Sequence, residues 1–420
     1  RLPEKGYRRS ALGMGEKEQE EVIMQKSYIS MREITEDDYK DFIKTHNEIT
    51  IENVKVKIGQ PKKIIEYQPK DFELETTNVW SFPERGTWAT HQGNFRGNWP
   101  PQMARNLILR YSKPGETVLD QMCGSGTTLI ECKLLGRNAI GVDINPDCVM
   151  LTRDRLNFNY TPLDPNYPTI MIKTYVGDAR NLNLIDDESI HLVATHPPYA
   201  NIIPYSKENR VSGDLSAVHS IDEYVNGMRE IAKESYRVLK PGRFCAILVG
   251  DTRRHRHHVP IAFRTMQAFL EAGFILREDI VKYQWKTKTT REKWGGLTKV
   301  AEECWVDIDK KTKKYYMDFY LLYYEHLFVF RKPEKDENIR QYKDSIIWSN
   351  DKSLNSQILH TETRQNQTAV TNMEIFETKL NPYGFIYIPR NALPKLPFKP
   401  CDKLCLRIDN RNRCVIIAEA

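Results

Sequence analysis

The chain has 420 residues, 40% of them hydrophobic and 28% charged, with a net charge of +6 and a pI near 8.7. That balance is ordinary for a soluble globular protein, and no apolar run approaches the ~20 residues of a membrane span. The N-terminal stretch RLPEKGYRRS is too polar for a secretory signal, which together with eight scattered cysteines points to the reducing cytoplasm.

Residues 1–77 are charged and weakly patterned and read as an N-terminal extension of unreadable role, with one helix expected at 35–45 behind Thr35 as N-cap. From Asn78 the composition turns aromatic and rich in Gly and Asn (NVWSFPERGTWATHQGNFRGNWPPQ), with Arg85 and Arg96 interleaved. Such a segment cannot build a core by itself, so it is expected to line something. A helix over 102–111 follows, with Met103, Leu107, Ile108 and Tyr111 on one face.

The stretch 116–143 then reads as a strand ending in Asp120, a turn of Gly124, Ser125 and Gly126, a helix over 127–135 and a second strand ending in Asp143. Helix 146–157, strand 169–176 ending in Gly177-Asp178, and strand 190–195 running into His196-Pro197-Pro198-Tyr199 continue the alternation. A long amphipathic helix over 221–239 should stop at Lys240-Pro241-Gly242, before a strand at 244–249, a helix at 261–272 and strands at 274–283 and 326–330. Alternating strands and helices predict an α/β domain over 78–333, a mostly parallel sheet with helices on both faces. A polar linker at 334–371 and a small β-rich domain at 372–420 complete the chain.

Glycines let backbone approach a ligand, and a helix N-terminus offers free N–H groups. An acid after the second strand is placed to accept ribose hydroxyls. The turn lacks the lysine of a phosphate loop, and the acid at its start suits a cationic or zwitterionic ligand; S-adenosylmethionine, with sulfonium, ammonium and ribose hydroxyls, fits. At the carboxyl edge of such a sheet, two prolines fix where a carbonyl points and Tyr199 offers a flat face, a device suited to an amino group on a base. Between 285 and 314, nine Lys/Arg stand against five acids, with Trp285, Trp294 and Trp305 among them. Arg253, Arg254, Lys286, Lys288, Arg291, Lys293 and Trp294 are therefore the candidate nucleic-acid contacts. No metal-ligand spacing is present; Cys401, Cys405 and Cys414 lack a fourth partner.

Residues 78–332 resemble the amino-methylating DNA methyltransferases, which make N4-methylcytosine or N6-methyladenine. HQGNFRGNWPPQ (91–102) resembles the segment that helps bind the methionine half of the cofactor, which implies roles for Asn94, Arg96 and Asn98. LDQMCGSGTT (119–128) resembles the D-x-F-x-G-S-G-T-T segment and brings in Asp120, Met122, Cys123, Gly124, Ser125, Gly126, Thr127 and Thr128. GVDINP implies ribose binding by Asp143 and Ile144, and VGDAR adenine binding by Asp178 and Ala179. THPPY resembles the catalytic T-S-P-P-Y, with His196 where Ser, Asp or Asn is usual, and Pro197, Pro198 and Tyr199 completing it. The resemblance implies a Rossmann-like S-adenosyl-L-methionine (AdoMet) methyltransferase sheet, double-stranded DNA as substrate with the base flipped out, and a cognate restriction endonuclease as a candidate partner. Thr195 and the ANIIPYS that follows favour cytosine N4 over adenine N6. Two other readings stay open: a tRNA guanine-N2 methyltransferase, and a non-catalytic DNA-binding regulator with a decayed core. Residues 383–410 also resemble AbrB-like swapped-hairpin modules, which would imply dimerisation or DNA contact; whether the chain is monomer or dimer is unread.

Overall fold

The computed structural model describes residues 28–51, 54–94, 98–162, 164–198, 213–218, 220–254, 257–285, 320, 322–346, 404–409 and 414–419. The chain opens with β1 (Arg32–Ile34), α1 (Glu36–Thr45) and a hairpin of β2 (Glu48–Ile51) and β3 (Val54–Lys57). α1 begins at the expected cap: the Thr35 hydroxyl accepts from the Asp38 amide (3.1 Å), and the Asp38 carboxylate accepts from the Thr35 amide (2.8 Å). That reciprocal pair satisfies donors that a helix start otherwise leaves orphaned.

Next come β4 (Val79–Trp80), α2 (Pro101–Tyr111), β5 (Thr117–Asp120), α3 (Thr127–Leu135), β6 (Asn138–Asp143), α4 (Pro146–Leu156), β7 (Ile172–Val176) and β8 (Ile190–Thr195). They are followed by α5 (Ile221–Val238), β9 (Leu239–Val249), a small hairpin of β10 (Thr252–Arg254) and β11 (His257–Val259), α6 (Ile261–Glu271), β12 (Ile275–Tyr283) and β13 (Tyr324–Arg331). In the separate unit of residues 351–420, the described part is an antiparallel hairpin, β14 (Leu404–Asp409) with β15 (Cys414–Glu419). The strand expected at 385–389 lies outside the described residues.

Nine strands form one sheet in the order β1-β7-β6-β5-β8-β9-β13-β12-β4. The five central strands, β7 to β9 in that order, are parallel; β13 enters antiparallel between β9 and β12. Alternation along each strand divides the core between two faces. Leu119, Val142, Val193, Cys245, Ile247, Phe328 and Phe330 pack with residues of α5 and α6. Val118, Ala139, Leu192, Ala194, Ala246, Leu248, Leu327 and Val329 pack with residues of α2 and α3. Both faces are thus covered, and the doubly wound, Rossmann-like sheet that the resemblance implies is present. From β5 the chain winds one way through β6 and β7, then returns to place β8 and β9 on the other side. The crevice at that switch opens beyond the carboxyl ends of β5 and β8.

Three details differ from the sequence expectation. Lys240-Pro241-Gly242 does not separate helix from strand but bulges within β9: its pairing with β8 jumps from Ile190↔Leu239 to Leu192↔Phe244, with Gly242 at φ +73°. Arg253 and Arg254, for which no element was predicted, lie on β10 and pair with His258 and His257 of β11. The N-terminal segment enters the sheet itself, with β1 antiparallel to β7 from Arg32↔Val176 to Ile34↔Thr174. It is also bolted to α4. The buried Asp154 carboxylate accepts from the Tyr39 hydroxyl (2.7 Å) and the Gly59 amide (2.8 Å), and pairs with Lys62. Ile49, Ile51, Val56 and Ile58 pack against Cys148 and Leu151 of the same helix.

Candidate active site

β5 ends in Asp120, but this carboxylate turns inward. It accepts from the Thr128 hydroxyl (2.5 Å), the Thr195 hydroxyl (2.9 Å) and the Met122 amide (3.3 Å), tying together the ends of β5 and β8 and the first turn of α3. Burial pushes its pKa up to about 6, against these hydrogen bonds that favour the charge. In the turn that follows, Gly126 sits at φ +81°, and a Cβ there would lie 2.8 Å from Thr152 Cγ2, so no larger residue fits.

β6 delivers Asp143 to the crevice. Its two oxygens accept from the amides of Gly124 (2.8 Å) and Asn145 (2.9 Å), and burial pushes its pKa up to about 7. Asp178, just past β7, is gripped by Arg180, whose Nε (2.9 Å) and Nη2 (2.6 Å) donate to its two oxygens; Arg180 also donates to the Gly213 carbonyl (2.6 Å). β8 leads into His196, Pro197 and Pro198.

One cleft gathers these ends, enclosing about 820 Å³ of empty space that is partly open to solvent. Of the expected residues, Met122, Gly124, Asp143, Ile144, Asp178, Ala179, His196 and Pro198 form its walls. Asp120, Cys123, Ser125, Gly126, Thr127, Thr128 and Pro197 are not among the wall residues. The walls also include residues the sequence reading missed: Gln121, Asn145, Asp214, Leu215, Ile231 and, from the N-terminal hairpin, Ile51. The Ser-Gly-Asp-Leu-Ser run at 212–216 was a turn signal that could have pointed to Asp214; nothing local marked Ile51. Asp143, Asp178 and Asp214 place three carboxylates in the described wall, which holds no Lys or Arg, although Arg180 pairs with Asp178 beside it.

The aromatic segment does not line the described cleft but touches one of its walls, His196, through Trp99. Trp99 is buried, and its ring stacks on His196 with centroids 6.1 Å apart and planes 24° apart. The segment is anchored by Glu131 of α3, fully buried, which accepts from Trp88 Nε1 (2.7 Å) and Arg105 Nη1 (2.9 Å) and lies 2.7 Å from His91 Nε2. Asn98 accepts from the Thr127 hydroxyl at the start of α3 (2.5 Å), and Asn94 from Arg155 Nη2 (2.8 Å), whose Nη1 donates to the Ser125 carbonyl (3.4 Å).

Arg253 and Arg254 lie on β10; Arg253 donates Nη2 to the Tyr320 carbonyl (2.8 Å). Arg96, Tyr199, Lys286, Lys288, Arg291, Lys293 and Trp294 lie outside the described residues. Among the described residues no His, Cys, Asp and Glu cluster could hold a metal, and no helix is long and apolar enough to cross a membrane. Cys123, Cys132 and Cys245 are buried free thiols, and Cys148 is buried as well.

Residues 8–154 and 190–384 match a family described as DNA methylase. Among curated proteins, a stretch of 106 residues is 34% identical to the tRNA (guanine(10)-N2)-dimethyltransferase of Methanothermobacter thermautotrophicus, covering 25% of this chain and 29% of that protein. A stretch of 109 residues is 31% identical to the DNA adenine methyltransferase YhdJ of Escherichia coli, covering 25% and 37%. The chain therefore spans only 29% and 37% of these relatives' own lengths. Among solved structures, a SAM-dependent methyltransferase from Methanosarcina mazei is similar with a TM-score of 0.35 and 14% identity, over 55% of this chain and 98% of that one.

Proposed function

The chain belongs to the DNA methylase family, and on that premise we propose that it moves a methyl group from AdoMet to the exocyclic amine of a base in double-stranded DNA, cytosine N4 by preference. The observation that carries this reading is that one cleft is walled both by the strand-end acids and by the Pro-Pro loop. A cofactor site and a base-amine site that share walls are what a direct transfer requires.

AdoMet fits the residues present. An acidic wall suits a sulfonium and an ammonium, Asp143 presents a carboxylate to ribose hydroxyls, and Ile51, Ile144 and Leu215 supply apolar surface for a purine ring. Bound there, the cofactor supplies an electrophilic methyl group. His196 and the Pro197 carbonyl hold the hydrogens of the base amine, so that the nitrogen lone pair is freed from the ring and aimed along one line. The imidazole of His196 takes the proton that the amine loses, its ring kept in place by Trp99. Geometry and field supply the rate enhancement, and no covalent enzyme intermediate is involved. The target base is flipped out of the duplex to reach the cleft. Such an enzyme works in the cytoplasm beside its DNA, with or without a cognate restriction endonuclease.

A second reading, a tRNA guanine-N2 methyltransferase, is favoured by the tRNA-modifying relative above. Transfer of labelled methyl from AdoMet to unmethylated genomic DNA and to tRNA in parallel, read by nucleoside mass spectrometry, decides. N4-methylcytosine supports the first reading, N6-methyladenine keeps the mechanism and changes the base, and label in tRNA alone moves the substrate to RNA.

A further inference from the structure

Part of the cleft wall comes from a segment outside every motif of the resemblance: Gly213, Asp214, Leu215 and Ser216. One guanidinium fastens it there. Arg180 Nε and Nη2 donate to the two oxygens of Asp178, and Nη2 also donates to the carbonyl of Gly213, 33 residues away (2.6 Å). The Arg180 amide gives Asp178 a third bond (2.9 Å), and the guanidinium lies 4.5 Å from the centre of the Tyr28 ring. Gly213 fits beneath it only as glycine. Its φ is +91°, and a Cβ there would lie 2.8 Å from Arg180 Nη2 and 3.4 Å from Asp178 Oδ2. On the other side Leu215 seats against α5, where a Cβ on Gly227 would lie 2.5 Å from Leu215 Cδ2. Between these two anchors stands Asp214, whose carboxylate accepts from the Ser216 amide (2.8 Å) and is held in place by that bond. Burial raises Asp143, and the charge of Asp214 adds to the rise, so the two carboxylates are neighbours across the cleft.

Arg180 thus does two things with one planar fork. It neutralises Asp178, and it carries the peptide before Asp214 to the cleft. We propose that Arg180 is a positioning residue that holds Gly213 so that Asp214 closes the cleft, and that Asp214 offers the cofactor the free carboxylate that the paired Asp178 no longer offers. The inference rests on the AdoMet reading and adds to it a contact from the segment that follows the Pro-Pro loop in the chain. A guanidinium needed only to satisfy a buried acid would be complete with the two bonds to Asp178. The bond to Gly213, and a glycine at positive φ packed against that same nitrogen, are what the positioning role accounts for.

The test is calorimetric titration of the full chain with AdoMet in a double-variant cycle. Arg180→Lys keeps a positive charge beside Asp178 but lacks the fork that spans to Gly213, and should weaken AdoMet binding by about tenfold. Asp214→Asn keeps an acceptor for the Ser216 amide, removes the charge and should cost a similar factor of about ten. Because Arg180 acts through Asp214, the double variant should bind within about threefold of Asp214→Asn alone. Should Arg180→Lys fail to fold, Gly213→Ala takes its place in the cycle, since its strain turns the same peptide away from the guanidinium and leaves the Asp178 pair intact. Losses that multiply would give Arg180 and Asp214 independent roles and overturn the assignment, as would unchanged AdoMet affinity in either single variant. If the wild-type chain binds no AdoMet, the cofactor reading itself fails and the assignment falls with it.

Discussion

Cofactor binding should be linked to protons through Asp143. Burial raises this carboxyl to about 7, although two backbone amides already donate to its oxygens at 2.8 and 2.9 Å. A proton on either oxygen would meet one of those N–H groups, and the ribose hydroxyls of a bound cofactor also seek an acceptor. Binding therefore selects the ionised form, and the apparent Kd is the intrinsic Kd multiplied by 1 + 10^(pKa − pH). With a pKa of about 7, affinity should be about 11-fold below its limit at pH 6, about twofold below at pH 7 and close to the limit at pH 8. Titrations in buffers of different ionisation enthalpy should count about 0.9 proton released per cofactor at pH 6 and about 0.5 at pH 7. The sign for the free chain is opposite in kind. A carboxyl raised above its unfolded value binds more protons folded than unfolded, so stability declines as pH rises through the window between them, from about 4 to 7. Asp120, raised to about 6, adds to that decline without touching the cleft. Asp143→Asn removes the group and should flatten the binding profile between pH 6 and 7 at reduced affinity. A wild-type Kd that is level from pH 6 to 8, or a slope that survives in Asp143→Asn, would refute the reasoning.

Further outcomes follow from single contacts. His196→Ala should lower the single-turnover rate about a hundredfold or more, while the AdoMet Kd measured by calorimetry stays as in wild type. Ile51→Trp adds a large ring to the cleft wall and should abolish cofactor binding; because Ile51 also packs in the hairpin core, the melting temperature by circular dichroism should fall by a few degrees with the fold retained. Asp154→Ala strands Lys62, the Tyr39 hydroxyl and the Gly59 amide; urea unfolding should show a loss of about 2–4 kcal/mol. The same variant should also weaken cofactor binding, because the hairpin that carries Ile51 is fastened through that helix.

What was legible in the sequence was local. From Val118 to Asp143 the strand, turn and helix punctuate themselves, with apolar pairs, a Gly-Ser-Gly turn and an acid at each strand end, and the structure reproduces those elements to within a residue or two. The basic stretch 285–314 falls between the strands predicted at 274–283 and 326–330, and β12 and β13 do pair, from Ile275↔Arg331 to Tyr283↔Tyr324. β1 and β4 were not legible, since three and two residues carry no readable alternation and the sheet edge alone recruits them. Ile51 and Asp214 were missed for a related reason. Each reaches the cleft from a segment far in sequence from the glycine turn, and only tertiary packing brings them there. The inward turn of Asp120 was hidden too, because it is set by Thr128 and Thr195, one of them 75 residues away.

That inward turn changes how charge is arranged around the cleft. With Asp120 sealed against two threonines, the acids left in the described cleft wall are Asp143, Asp178 and Asp214. Asp178 is already paired with Arg180 at 2.6 Å, and burial raises Asp143 to about 7. The negative field offered to a sulfonium and an ammonium therefore rests on Asp214 and on the ionised fraction of Asp143, so the proton linkage predicted above bears on the cofactor and not on folding alone.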